Sequence, residues 1–146
     1  MKGNGFVVWF TGLPCSGKTT LAEALQRELG RRHIKTQLLD GDAMRKSISQ
    51  DLGYSRIDRE THVQRVVSLA SSLADQTPVI VSLISPYRSM RAYAREKLQP
   101  FVKIYLRCPL TVCESRDLKG HYRLAREGKI DQYTGISDDY DDYEEH

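Results

Sequence analysis

The fold is decided near the amino terminus, by the stretch Phe6-Val-Val-Trp-Phe-Thr-Gly-Leu-Pro-Cys-Ser-Gly-Lys-Thr-Thr20. Residues 6–11 are apolar and rich in β-branched and aromatic side chains, which predicts a buried strand. From residue 18 to residue 32, leucine and alanine recur at helical spacing. The turn between them, residues 12–19, matches the pattern G-x-x-x-x-G-K-[ST] in full. This order of strand, loop and helix predicts a loop that binds phosphate.

The chemistry of such a loop explains its spacing. Glycines let the backbone curl so that successive N–H groups converge on phosphate oxygens, and the positive end of the helix dipole lies at the same place. We expect Lys18 to reach the β- and γ-phosphates and the Thr19 hydroxyl to ligate Mg²⁺. No N/T-K-x-D-type guanine selector is present, so ATP is the predicted nucleotide. The residues predicted to bind it are Gly12, Leu13, Pro14, Cys15, Ser16, Gly17, Lys18, Thr19 and Thr20.

Strand and helix patterns alternate along the rest of the chain. Residues 36–40, 78–84 and 101–106 are predicted strands. Predicted helices occupy residues 43–50, a segment from about residue 58, residues 87–98, and residues 110–127 with a break near Gly120. The alternation predicts an α/β fold of the P-loop NTPase (nucleotide-kinase-like) type, a parallel β-sheet with helices on both faces. Periodicity stops after Gly128.

Composition limits the protein class. The chain has 146 residues, of which 40% are hydrophobic and 28% are charged, so we expect a single folded domain spanning residues 1–146. The longest apolar stretch, residues 78–86, is too short to span a bilayer, and no signal peptide is evident. Three cysteines are too few for a disulfide framework and favour a reducing, cytoplasmic location.

Charge is distributed unevenly. All 22 lysines and arginines lie at or before Lys129, so residues 1–130 carry a net charge of +10, whereas residues 131–146 contain seven acids and no Lys or Arg. This pattern predicts a body that holds anions and a tail that does not belong to the core. No helix-turn-helix, zinc or aromatic–basic pattern accompanies the positive charge, so nucleic acid is not a predicted partner.

Acidic residues follow the second predicted strand, in the run Leu39-Asp-Gly-Asp42, with Arg45 shortly after. Ligands of open α/β sheets bind at the carboxyl ends of the strands, so both carboxylates are expected near the phosphates. There they can hold magnesium-bound water or accept a proton from an attacking hydroxyl. The alternative is an Asx turn that only ends the strand. Arg45 belongs to an arginine cluster with Arg56, Arg59 and Arg65, of which Arg56 and Arg65 are read as solvated.

Two later segments have alternative interpretations. The Ser85-Pro86 step either places a hydroxyl over the acceptor pocket or caps a helix with Pro86 at its first position. The basic stretch around Lys119 is predicted to begin a mobile lid, about residues 119–140, that excludes water when it closes. Arg123 and Arg126 in this stretch are interpreted as solvated surface.

A family resemblance follows from several motifs together. The chain resembles the adenylylsulfate kinase family from residue 5 to about residue 144. The resemblance depends on Gly5-Phe-Val-Val-Trp-Phe-Thr-Gly-Leu-Pro14, Leu39-Asp-Gly-Asp42, Leu52-Gly-Tyr-Ser55, Asp58-Arg59, Ile84-Ser-Pro-Tyr87, Cys108-Pro-Leu110, Arg116-Asp-Leu-Lys-Gly120 and Tyr133-Thr-Gly-Ile136. It implies that ATP phosphorylates the 3′-hydroxyl of adenosine 5′-phosphosulfate (adenylylsulfate), giving ADP and 3′-phosphoadenylylsulfate.

The resemblance also implies roles for particular residues. Tyr54 and Tyr133 would sandwich the acceptor adenine, and Arg45 and Arg59 would grip its phosphosulfate. Ser85 matches a serine for which a phosphoserine role has been suggested, although in-line transfer needs only positioning and charge stabilisation. The implied catalytic residues are Lys18, Asp40, Asp42 and Ser85, and the implied magnesium ligands are Thr19 and Asp42. The implied acceptor-binding residues are Asp40, Asp42, Arg45, Tyr54, Arg59, His62, Ile84, Ser85, Lys119, Gln132 and Tyr133.

Two departures from the family pattern leave alternatives open. His62 occupies a position where the family usually has Asn, which motivates a related kinase with another nucleotide-like acceptor. The family normally continues into a last strand beyond the Tyr-Glu near the end of this chain, which motivates a nucleotide-binding module without catalysis. The family is usually dimeric, so a homodimer is a further expectation.

Overall fold

The structure, a computed structural model, describes residues 5–141. Its four strands are β1 (Val7–Thr11), β2 (Gln37–Asp40), β3 (Val79–Ser82) and β4 (Phe101–Tyr105). Its helices are α1 (Lys18–Arg31), α2 (Gly41–Ser47), α3 (Arg56–Ala74), α4 (Arg88–Lys97), α5 (Leu110–Arg116) and α6 (His121–Arg126). Every predicted strand and helix is present, and the predicted break near Gly120 separates α5 from α6.

The strands form one parallel sheet in the order β2-β3-β1-β4. The two central strands, β1 and β3, are buried throughout, as their continuous apolar runs predict. At the edge, β4 is half-buried, and Val102 is its one exposed residue. This order places the carboxyl end of β1, from which the phosphate loop leaves, between those of β3 and β4.

Alternate side chains of β1 point to opposite faces of the sheet and build two cores. Val7 and Trp9 pack with residues of α3 and α4 on one face, whereas Val8 and Phe10 pack with Ala22 of α1 on the other. The prediction of a parallel sheet with helices on both faces is therefore confirmed.

The residues at the helix ends define the observed helix boundaries. Helix α2 begins two residues earlier than predicted because Asp40 is its N-cap and accepts the Ala43 N–H. Tyr87 is the N-cap of α4, so the prediction that Pro86 stands at the first helical position is wrong. Asp117 ends α5 in a left-handed conformation, and its carboxylate then accepts two N–H groups at the start of α6.

The acidic tail belongs to the fold as far as residue 141, so the prediction of a tail outside the core is wrong there. Asp138 pairs with Arg59, and the Asp141 backbone N–H donates to the Pro86 carbonyl. The Tyr140 ring stacks on Tyr105 at the end of β4. Three of the seven acids, at positions 142, 144 and 145, lie outside the described residues, as does any further strand. Among residues 5–141, no helix is both long and apolar enough to cross a membrane.

Candidate active site

The phosphate loop connects β1 to α1 and needs glycine at two positions. Gly12 has φ +156°, and a Cβ there would lie 2.8 Å from Ser16 Oγ and 2.9 Å from the Leu106 carbonyl oxygen. Gly17, the N-cap of α1, has φ +103°. Cys15 also adopts a left-handed conformation, with φ 64°. The loop therefore curls tightly around the amino-terminal end of α1, a concavity that suits phosphate oxygens.

Lys18 lies inside this loop with only 8% of its surface exposed. Its Nζ donates a hydrogen bond to the neutral Leu13 carbonyl at 2.7 Å. Burial lowers the Lys18 pKa to about 8, an effect that Cys113, Cys15 and the two aspartates of the Asp-Gly-Asp run partly oppose. A positive charge held in this way would be stabilised by an anion, so the residues present fit a nucleotide phosphate.

A hydroxyl and a carboxylate suited to magnesium meet at the start of α1. Thr19 Oγ1 donates to Asp40 Oδ1 at 3.0 Å and lies 3.3 Å from Ser82 Oγ. These are oxygen ligands of the kind that Mg²⁺ prefers. Asp42, the other predicted metal ligand, instead forms an ion pair with Lys119. The geometry thus separates the two aspartates, with Asp40 beside Thr19 and Asp42 beside the predicted lid.

Arg59 joins two segments predicted to bind the acceptor. Its buried guanidinium donates to the Tyr54 carbonyl at 2.7 Å, to Thr134 Oγ1 at 2.6 Å and to the Gln132 carbonyl, and it pairs with Asp138 at 3.1 Å. In this structure Arg59 is therefore engaged with the protein itself. It fixes the backbone on either side of the predicted acceptor pocket.

The aromatic rings of the predicted adenine sandwich lie on those two segments. The Tyr54 ring is largely exposed, with the Arg45 guanidinium 4.4 Å from its centroid, and Arg45 also donates to the Gly53 carbonyl at 2.8 Å. The Tyr133 ring is half-buried and packs edge-on against Tyr122 at 5.0 Å. Because Arg59 links the backbone of both segments, one side chain controls the spacing of the pair.

His62 is buried in α3, with 4% of its surface exposed. Its Nδ1 lies 2.7 Å from Ser49 Oγ, and its Nε2 has no hydrogen-bond partner among residues 5–141. Burial, followed by the positive charges of Arg45 and Arg65, lowers the His62 pKa to about 4. The ring is therefore neutral at pH 7 and presents one unsatisfied nitrogen.

Ser85 is held in the protein interior, with 1% of its surface exposed and a left-handed φ of 43°. Its Oγ accepts from Trp9 Nε1 at 3.1 Å and lies 2.9 Å from Thr11 Oγ1. Thr11 in turn donates to the carbonyl of Ile84 at 2.6 Å. These contacts tie the end of β3 to the residue that precedes the phosphate loop. The structure therefore gives the Ser85 hydroxyl a packing role.

Comparison with known proteins fixes the family. The sequence matches the family described as Adenylylsulphate kinase over residues 4–146. The chain belongs to this family. It is 45% identical over 139 residues to the adenylyl-sulfate kinase of Halothermothrix orenii, covering 94% of this chain and 75% of that protein. It is 44% identical over 138 residues to a probable adenylyl-sulfate kinase of Pseudomonas aeruginosa, covering 94% of this chain and 64% of that protein.

A solved member of the adenylylsulphate kinase family has the same fold. The structure of the Mycobacterium tuberculosis APS kinase in complex with AMPPNP and APS superposes with a TM-score of 0.93 at 38% identity. The match covers 98% of this chain and 86% of that one. The family assignment and the P-loop kinase fold inferred from the sequence are both confirmed.

Sequence reasoning missed several residues that shape this kinase site. Arg91 of α4 donates to the Ser85 carbonyl at 2.7 Å, and its guanidinium lies 4.9 Å from the Tyr140 ring centroid. The Tyr140 hydroxyl is 2.7 Å from Thr11 Oγ1. A signal for Arg91 existed, because it occupies the buried stripe of α4 beside Met90 and Ala94. No periodicity or motif marks Tyr140.

Proposed function

We propose that this chain transfers the γ-phosphoryl group of ATP to the 3′-hydroxyl of adenosine 5′-phosphosulfate. The observation that carries the proposal is the joint arrangement at the carboxyl end of the sheet. A buried Lys18 and a Thr19–Asp40 pair lie in the phosphate loop region, and Arg59 holds Tyr54 and Gln132 beside it. Membership of the adenylylsulphate kinase family supports adenylylsulfate as the acceptor.

On the nucleotide side, ATP would supply the phosphoryl group and Mg²⁺ would neutralise the developing negative charge. The backbone N–H groups of residues 12–20, apart from Pro14, which has none, would hold its phosphates. Lys18 would exchange its Leu13 carbonyl for phosphate oxygens, a better partner for a buried ammonium group. Thr19 would ligate the ion with Asp40 beside it, and the predicted Asp42 ligand would approach only after leaving Lys119.

On the acceptor side, Asp42 is the group we assign to the 3′-hydroxyl proton. Its ion pair with Lys119 holds this carboxylate at the predicted lid, and a carboxylate so placed can accept a proton from a hydroxyl. Lys119 then supplies positive charge beside the transferred group. Tyr54 and Tyr133 would stack on the adenine, Arg45 would bind the phosphosulfate, and Arg59 would fix their spacing. The side chains of Ile84 and Gln132 would line the pocket. Ser85, through its contacts with Trp9 and Thr11, would fix the backbone at the base of the pocket.

Residues 119–140 would act as the lid, because they contact both sides of the site through Lys119 and Arg59.

Cytoplasmic location and a homodimer belong to the same proposal. So does a single kinase domain spanning residues 1–146. Nucleic acid and membranes are not proposed partners.

The test is a product assay. Purified protein with Mg-ATP and adenylylsulfate should release ADP and a 3′-phosphorylated nucleotide, identified by mass spectrometry, and Lys18→Ala should abolish both. Absence of product under conditions where calorimetry shows ADP binding would refute the proposal. Acceptor-dependent ADP release would in turn exclude a non-catalytic nucleotide-binding module.

A second candidate acceptor class is supported by His62, whose Nε2 is buried without a partner in the described chain. An unsatisfied nitrogen at a position predicted to bind the acceptor suits a nucleotide with a different hydrogen-bonding group. His62→Asn should then raise turnover of adenylylsulfate relative to other nucleotides. Unchanged selectivity counts against this candidate.

A further inference from the structure

Side chains of the α5–α6 region form hydrogen bonds with the outer surface of the phosphate loop. Two consecutive loop carbonyls point toward this region, and each accepts a hydrogen bond from one of its side chains. Tyr122 Oη donates to the Pro14 carbonyl at 2.7 Å, and Arg116 Nη1 donates to the Cys15 carbonyl at 3.0 Å. Neither donor belongs to the phosphate-loop motif, and they come from opposite sides of the α5–α6 turn.

Because the peptide group is planar, the direction of the Pro14 carbonyl also sets the direction of the Cys15 N–H. In a trans peptide the C=O and the next N–H point in opposite directions. Holding the Pro14 carbonyl outward therefore turns the Cys15 N–H inward, toward the space where phosphate oxygens bind. The left-handed φ of Cys15, 64°, adds a turn in which neighbouring N–H groups converge.

Tyr122 is rigidly placed for this contact. It has no exposed surface, and its own N–H donates to Asp117 Oδ1 at 2.8 Å. Burial raises the pKa of its phenol, so the hydroxyl keeps its proton and remains a donor across the working pH range. The α5–α6 break near Gly120 is thus the feature that aims this side chain at the loop.

The same ring meets the acceptor-side segment. The Tyr133 ring packs edge-on against Tyr122 with centroids 5.0 Å apart. Two residues later, a Cβ on Gly135 would lie 3.3 Å from Leu13 Cδ2 and 3.8 Å from Tyr122 Cε1, so the backbone passes directly over the loop. A continuous packed path therefore runs from Tyr133 through Tyr122 to Pro14.

We propose that Tyr122 is a positioning residue that couples occupancy of the acceptor site to the conformation of the phosphate loop. An acceptor ring stacked on Tyr133 fixes Tyr122, and Tyr122 fixes the inward direction of the Cys15 N–H. Reciprocity then requires that ADP and acceptor change each other's affinity by the same factor. The acceptor half of this inference depends on the proposed function, whereas the phosphate-loop half does not.

The experiment is calorimetric titration of ADP, with and without saturating adenylylsulfate, a pair that cannot react by phosphoryl transfer to the acceptor. Tyr122→Phe keeps the ring and removes only the hydroxyl. Tyr93→Phe, on α4 and away from the loop, is the matched control. We expect Tyr122→Phe to weaken ADP binding about 5-fold, because the ligand must then order the loop. The factor by which adenylylsulfate changes ADP affinity should fall toward one, and Tyr93→Phe should leave both quantities at their wild-type values.

Three outcomes overturn the inference. Tyr122→Phe leaves ADP affinity unchanged, or it weakens ADP binding while adenylylsulfate still changes ADP affinity by the wild-type factor. The third is that adenylylsulfate does not change the ADP affinity of the wild-type protein. A measurement without substitution covers the case of a poorly folded variant. The backbone amide signal of Cys15 in the ADP-free wild type should shift when adenylylsulfate is added, and a constant signal also overturns the coupling. Failure of the product assay would refute the proposed function. The ADP titration would still test whether the Tyr122 hydroxyl strengthens ADP binding.

Discussion

ADP binding should draw a proton onto Lys18, because the ammonium group is already buried before the ligand arrives. Its pKa in the free loop is about 8, against an ordinary value of 10.5. Phosphate oxygens favour the charged form and should return the pKa at least to that ordinary value. At pH 8.5 about 0.75 proton should therefore be taken up per ADP, against about 0.1 at pH 7. The same shift should weaken ADP binding about 20-fold between pH 7.5 and pH 9.5.

The assay compares calorimetric titrations in two buffers of different ionisation enthalpy at each pH, since the difference in heat gives the number of protons exchanged. Lys18→Arg is the matched control, because a guanidinium stays charged throughout this range. It reports any protons that come from ADP itself or from groups other than Lys18. Equal proton uptake by wild type and Lys18→Arg would show that the free lysine is charged at pH 8.5. Burial would then not lower the Lys18 pKa below 8.5.

Three further substitutions test the acceptor side and the tail. Arg59→Ala should raise the adenylylsulfate KM about tenfold and the ATP KM much less, because Arg59 holds Tyr54 and Gln132; equal changes would show that the site is divided differently. His62 stays neutral with a pKa near 4, so the free energy of unfolding should fall as pH drops from 6.5 to 4, by up to roughly 2 kcal/mol after allowance for partial solvation. The free energy of unfolding of His62→Asn, measured with urea, should not show this fall with pH. If it falls in parallel with that of the wild type, His62 is not the group responsible. Asp141→Ala should lower Tm by about 3 °C through loss of a helix cap, whereas Asp139→Ala, an exposed neighbour, serves as the control and should leave Tm unchanged.

Local chemistry made the first half of the site predictable. The glycines and Lys18 belong to one strand–loop–helix unit, so the tight curl of the loop and the contact of Lys18 with Leu13 are local. Asp40 and Asp42 were also predictable as residues at a strand end. Their division of contacts was not, because Thr19 and Lys119 reach them from positions 21 and 77 residues away.

The second half depends on contacts that leave no periodic trace. Arg59 lies in a helix whose stripe is easy to recognise, but its partners are 73 and 75 residues further along, where no repeating pattern exists. The Ser85 hydroxyl was expected either over the pocket or as a helix cap. It does not cap α4, whose N-cap is Tyr87, and its place over the pocket stays a prediction. Its partners, Trp9 and Thr11, are set by the pairing of β1 with β3, which a single sequence does not specify.

The cap that Asp141 provides for α4 has a consequence for protein synthesis. Tyr87 offers no side-chain cap, and the Arg88 N–H is instead bonded to Asp141 Oδ2 at 3.2 Å, 53 residues away in sequence. The ribosome adds the last residue of α4, Lys97, 44 residues before it adds Asp141. At about 5–20 residues per second, the delay is roughly 2 to 9 s. The nascent chain can build its central strands during that interval, but the start of α4 and the adjoining residue Ser85 acquire their final contacts only after residue 141 has been made.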